Sequence, residues 1–218
     1  MTNLAAARAL MVEAQVRTND VTDLRIIEAM SRLPRERFVP ADKRHLAYSD
    51  AFVPLSADRS MLDPRGFAKL AQLAEMTEQD RVLDVACGMG YSAAVFATMA
   101  REVIGLEEDA DLNAEAGRAM REFGAGRSKI VAGALSEGHA AAAPYDLIFI
   151  DGGAVQQIPT VLVDQLRDGG RLVAIFRDGP VGKAHFCVRR GGALSHRVAF
   201  DATVPVLKRF ERSRSFVF

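Results

Sequence analysis

Apolar residues recur along this chain with two periods, and the switches between them mark out its elements. The segments 81–85, 102–107 and 145–150 carry dense apolar runs, Leu147-Ile148-Phe149-Ile150 the longest, and each is expected as a strand covered on both faces. Between them the spacing lengthens to that of helices over 90–99, 109–123 and within 155–166. Two further strands are expected at 128–132 and, after a Gly169-Gly170 turn, at 171–176. Strand and helix in alternation imply a parallel sheet with helices on both faces. Beyond it, 185–190 and 194–200 read as two strands joined at Gly191-Gly192, a hairpin on the edge of the sheet.

The N-terminal part has a different pattern. Leu4, Ala7 and Met11 share one face of a helix over 4–16, and Thr22 is placed to cap a second helix over 23–30, which Pro34 separates from the next segment. Residues 35–48 mix charge with Phe38, Val39, Leu46 and Tyr48, so the first fifty residues read as a helical cap on the sheet. Residues 49–63 have no steady period, which in a compact chain points to a surface loop or part of a site, and the site is the preferred reading. Pro64 then opens a helix carrying Phe67, Leu70 and Ala71.

Charge and cysteine usage narrow the function classes. The 218 residues hold 28 basic and 28 acidic side chains, so no global field attracts nucleic acid or an anionic membrane. The runs Arg35-Glu36-Arg37 and Arg189-Arg190 read as solvated faces. Cys87 and Cys187 stand far apart and read as reduced thiols, which fits a cytoplasmic protein. The four histidines are scattered, arguing against a metal site; the N-terminal segment, with Arg8 and Glu13 in an amphipathic pattern, reads as neither a signal peptide nor a membrane span, and the rest has no 18-residue apolar run.

The stretch Arg81-Val82-Leu83-Asp84-Val85-Ala86-Cys87-Gly88-Met89-Gly90-Tyr91 holds the densest chemical signal. A short apolar strand runs into a turn whose Ala86, Gly88 and Gly90 leave room for backbone to approach a nucleoside-like ligand. The three positions of a dinucleotide fingerprint hold Ala86, Gly88 and Tyr91, and no Gly-Lys-Ser/Thr phosphate loop is present. The turn therefore suits a cofactor without a pyrophosphate, S-adenosylmethionine being the commonest. Glu107 ends the next strand 17 residues after Gly90, where a carboxylate can accept both ribose hydroxyls. This reading needs Glu107 beside Gly88 and an open cleft between them.

The chain resembles the protein-L-isoaspartate O-methyltransferase family over essentially its whole length. The resemblance is carried by Met11-Val12-Glu13-Ala14-Gln15-Val16-Arg17, Pro34-Arg35-Glu36-Arg37-Phe38-Val39-Pro40 and His45-Leu46-Ala47-Tyr48-Ser49-Asp50, in that order. It implies a Rossmann-like, S-adenosylmethionine-dependent α/β methyltransferase fold with a mostly parallel sheet, an N-terminal helical cap and C-terminal antiparallel strands. One domain, 1–218, is expected: cap and substrate-side loop over 1–63, cofactor-binding core over 64–180, C-terminal strands and tail over 181–218. The implied reaction is carboxyl methylation of L-isoaspartyl residues in damaged proteins, by a monomer or homodimer that takes peptide or protein substrates.

Residue by residue, the resemblance makes 84–90, including Asp84, Ala86, Cys87, Gly88 and Gly90, the methionine-side loop and Glu107 the ribose acceptor. The family's acidic-glycine pair at the adenine falls on Ala134-Leu135, and Ala86 stands where the family usually has Gly. The family's Thr-Ile-Ser-Gln-Pro-like loop is here Ser60-Met61-Leu62-Asp63-Pro64. Ser60 keeps a hydroxyl for the reacting carboxyl, and Leu62 replaces a serine. Asp63 is a candidate for orienting an acceptor or a cap for the adjoining helix. The family's Thr-Ala-Ala-like turn becomes Asp151-Gly152-Gly153, with Asp151 placed near the cofactor amine or the substrate, or holding a turn. Asp63 and Asp151 together add negative charge near the expected site. Methyl transfer to a different acceptor and non-catalytic binding of the cofactor stand as the alternatives. Phe216-Val217-Phe218 reads as closing the core.

Overall fold

The computed structural model describes residues 3–124 and 128–212; Phe216, Val217 and Phe218 lie outside the described residues. Helix α1 (Leu4–Met11) is capped by Asn3 and continues through a π turn, so the expected helix over 4–16 bends rather than running straight. Asp23, not Thr22, caps α2 (Leu24–Arg32): its carboxylate accepts from Arg25 N at 2.9 Å, while the Thr22 N–H donates to Gln72 at 2.7 Å. The aperiodic stretch 49–63 contains a hairpin of two very short strands, β1 (Val53–Pro54) and β2 (Ser60–Met61). Helix α3 (Pro64–Leu73) comes next, with Pro64 in its first turn.

The core alternates as the sequence implies: β3 (Arg81–Val85), α4 (Tyr91–Ala97), β4 (Glu102–Glu107), α5 (Ala110–Phe123), β5 (Lys129–Ala132), β6 (Tyr145–Ile150), α6 (Thr160–Asp164) and β7 (Leu166–Phe176). Gly169 and Gly170, expected as a turn before a strand, lie inside β7. The register with β6 jumps there from Tyr145↔Leu166 to Leu147↔Arg171, so the extra residues bulge out and Gly169 takes a positive φ of 74°. β8 (Lys183–Arg190) and β9 (Ala193–Asp201) form the expected antiparallel hairpin, with Gly191 and Gly192 both at positive φ. The sheet order is β5-β4-β3-β6-β7-β8-β9, parallel from β5 to β7.

This order creates the site. The chain leaves β3 toward β4 and β5 on one side and returns to place β6 on the other. Ligands of open α/β sheets collect where the order reverses, at the C-terminal ends of the strands. Those ends are the 86–90 turn after β3, Glu107 after β4 and Asp151 after β6. Beneath them α3 and α4 pack on the sheet through Phe67, Phe96 and Phe149; the rings of Phe96 and Phe149 meet edge to face at 4.8 Å. The cap closes this layer with Phe38 against Tyr91. No helix among the described residues is long and apolar enough to cross a membrane.

Arg35 and Glu36 are not the solvated face their charge suggests. Arg35 is fully buried: its Nε donates to Ala47 O at 2.7 Å, its Nη2 to Leu62 O, and its guanidinium lies over the Tyr91 ring at 4.8 Å. Glu36 accepts from the Tyr48 hydroxyl. Arg35 thereby ties the cap to the end of the 49–63 segment, and Glu36 fastens the cap to its own last turn.

Candidate active site at the strand-order reversal

The turn after β3 is shaped by three residues with left-handed backbone: Ala86 at φ 61°, Gly88 at 56° and Gly90 at 88°. Ala86 is thus a side-chain-bearing residue in a conformation that favours glycine, which costs about 1 kcal/mol. Ala86 N donates to Leu106 O and Asp151 N to Val85 O, both at 2.9 Å, so the turn is sewn to β4 on one side and β6 on the other. Gly90 then caps α4, whose Ser92 donates to Asp84 Oδ2 at 2.6 Å.

Glu107 stands beside Gly88, as the spacing requires. Its carboxylate accepts from Gly88 N at 3.0 Å and from the N–H groups of Glu108 and Asp109 at 2.9 and 3.0 Å. The carboxyl is fully buried, and burial pushes its pKa up against the pull of Arg59 and those three donors. Asp84 is fully buried too. Burial lifts its pKa well above the ordinary carboxylate range, and the nearby Asp151 charge adds to the rise. Burial likewise pushes Asp151 up to about 6. Asp84 Oδ1 and Asp151 Oδ1 have no hydrogen-bond partner among the described residues.

The cleft itself departs from the expectation. The space lined by Leu55, Ser60, Ala86, Gly88, Tyr91 and Asp151 measures only about 10 Å³, against roughly 300 Å³ or more for a small-molecule site. The 53–61 hairpin fills it. Leu55 Cδ1 comes within 2.5 Å of where a Cβ on Gly88 would sit. Arg59, only 1% exposed, puts Nε 3.1 and 3.3 Å from the two Glu107 oxygens and Nη2 3.0 Å from Glu108 Oε1. Arg209 braces Glu108 from the other side at 3.0 Å. Arg59 is a site residue that the local sequence pattern does not reveal. No alternation marks it, since Arg59, Ser60, Met61 and Leu62 are all buried.

The remaining predicted residues separate into two groups. Ser60 belongs to the site: its side chain lines the same small cavity as Asp151, and its N–H donates to Gly152 O at 2.8 Å. Ala134 and Leu135 lie just past the end of β5, beside that of β4; Ala134 is exposed and Leu135 is buried in the core. Cys87 lies in the turn, and burial pushes its thiol well up, out of the reactive range. Asp63 does not belong to the site. Its Oδ1 accepts from Gly66 N at 2.7 Å as the cap of α3, and the residue borders a separate cleft with Asn19, Arg65 and Lys69. Leu62 is packed in the core and does not line the cavity. Of the two added negative charges, only Asp151 reaches the site.

The family model for protein-L-isoaspartate (D-aspartate) O-methyltransferase matches residues 6–193. The chain belongs to this family. It is 38% identical over 178 residues to the protein-L-isoaspartate O-methyltransferase of Opitutus terrae, covering 82% of this chain and 74% of that protein. Against the enzyme of the same name from Koribacter versatilis it is 33% identical over 205 residues, 92% of this chain and 90% of the relative. The fold of this family member also matches a Plasmodium falciparum protein assigned to the same enzyme class and solved with S-adenosyl-L-homocysteine. The TM-score is 0.78 at 20% identity, covering 96% of this chain and all of the other.

The donor set fits an adenosyl-sulfonium cofactor in chemistry but not in volume. Two buried carboxylate oxygens without partners suit a ligand carrying positive charge, and Glu107 suits a ribose diol. What stands in the way is a single short hairpin.

Proposed function

We propose that this methyltransferase carries out carboxyl methylation of L-isoaspartyl residues in damaged proteins, with S-adenosylmethionine seated between the 86–90 turn and Glu107. One observation carries the cofactor reading: Glu107 lies 3.0 Å from Gly88 N at the strand-order reversal, with the orphaned oxygens of Asp84 and Asp151 alongside. Family membership supports the substrate. When bound, the cofactor supplies an electrophilic methyl group on a sulfonium.

The chain's own residues bind and orient. Glu107 accepts the ribose hydroxyls, the backbone at Ala134 and Leu135 meets the adenine edge, and Asp84 and Asp151 balance the positive charge. Ser60 donates its hydroxyl to the acceptor carboxyl. An ordinary carboxylate of pKa about 4 is already ionised near neutral pH, so no protein base is needed and positioning supplies the rate. Asp63, held as a helix cap, plays no part.

The test is methyl incorporation into an isoaspartyl peptide, with the normal aspartyl peptide as control. Incorporation confined to the isoaspartyl peptide is expected. None, in protein shown to bind the cofactor, defeats the substrate assignment. A different, uncharged acceptor is the second reading, favoured by Asp151 lining the same cavity as Ser60. A labelled product from cell extract that is not an isoaspartyl protein would support it.

A further inference from the structure

Resting on the cofactor site proposed above, we infer that Arg59 is a built-in competitor for the cofactor. Its guanidinium holds the Glu107 carboxylate that the ribose would take, and the cofactor enters only as the tip of the 53–61 hairpin swings away.

Three observations converge on this. Among the described residues, Arg59 is the one cation paired with Glu107, and it is bracketed further by Asp58 at 3.1 Å and Glu108 at 3.0 Å. A buried carboxylate stripped of its cation is costly, so the pair opens readily only when another ligand takes over its interactions. A ribose diol can donate to Glu107, and a sulfonium amino acid carries positive charge toward Asp84 and Asp151. The exchange therefore keeps the buried acids compensated.

Leu55 seals the same opening. It and Met89 line both the small cavity and a groove of about 500 Å³ between α5 and the 35–44 segment. Lifting Leu55 from Gly88 joins the two and makes room at the turn without moving the sheet.

The hairpin is also lightly held at its tip. Its strands are two residues each, and among the described residues its polar ties to other segments are few: Ser60 N to Gly152 O and Lys43 Nζ to Pro54 O, both 2.8 Å, besides the Arg59 pairs. Val53 and Met61 anchor its two strands in the core, so the part free to swing is the 55–59 tip between them, once the Arg59 pairs are exchanged.

The experiment is calorimetric titration of S-adenosylhomocysteine into wild type, Arg59→Gln and Leu55→Ala, with hydrogen exchange of the hairpin amides in wild type with and without ligand. At least tenfold tighter binding to Arg59→Gln, and faster exchange at Leu55 and Ser60 on ligand addition, are expected. Leu55→Ala removes the seal while leaving the ion pair intact, so tighter binding there supports the same mechanism if Arg59→Gln does not fold. Equal affinity in all three proteins with unchanged exchange overturns the competitor role and leaves the cofactor site standing. Absence of binding to every protein overturns both.

Discussion

Ser92 Oγ donates to Asp84 Oδ2 at 2.6 Å, while Asp84 Oδ1, equally buried, has no partner at all among the described residues. A half-satisfied carboxylate beneath a turn, with Asp151 nearby in the same condition, is a site kept at the expense of stability. Both acids are protonated more readily in the folded chain than in the unfolded one.

That difference sets the sign of the pH dependence. Because the folded state binds more protons than the unfolded state from about pH 4 upward, stability falls as pH rises through about 6. For Asp151, raised from 3.8 to about 6, the loss is about 3 kcal/mol, and Asp84, raised in the same direction by burial, adds to it. Thermal unfolding of wild type and Asp151→Asn at pH 5 and pH 8 checks this: the variant should gain on wild type as pH rises. A gap that does not change with pH counts against it. Binding of a cationic cofactor should strengthen over the same range.

Asp63→Ala should lower stability by about 1 kcal/mol through loss of the α3 cap, and Asp63→Ser should recover most of it. Neither should alter methyl transfer beyond what stability explains. Chemical denaturation beside the peptide assay separates the two, and a selective fall in kcat for a fully folded Asp63→Ser protein would return Asp63 to the site.

Leu62→Ser, which restores the family's serine, should not raise activity. Leu62 is 3% exposed and packed in the core, so the change should cost about 2–4 kcal/mol from lost burial and an added hydroxyl. Denaturant midpoints and isoaspartyl methylation measured together decide it; increased turnover would show that the loop rearranges to present position 62.

The sheet was legible because its strands are covered on both faces: Leu147, Ile148, Phe149 and Ile150 are all buried, and so is every residue of β3 except Arg81. Glu107 was legible too, since one helix and one strand after the turn fix its place beside Gly88 in a parallel sheet. Arg59 and Arg35 were not. Arg59 is buried by carboxylates 48 and 49 positions away, and Arg35 by backbone carbonyls of Ala47 and Leu62. Periodicity reports neither kind of partner, because an unpaired arginine reads as exposed until the fold supplies its acceptors. Asp63 shows the converse: the Asp-Pro pair announced a helix cap, and the cap is what the carboxylate makes.

The most direct measurement is titration of S-adenosylhomocysteine into isotope-labelled protein with backbone amide shifts tracked by NMR. The largest changes are expected at Gly88, Glu107, Glu108 and Asp109, whose N–H groups surround or adjoin the Glu107 carboxylate, together with the hairpin amides of Leu55 and Ser60. Saturable binding whose shifts cluster elsewhere, with these amides unmoved, would contradict it.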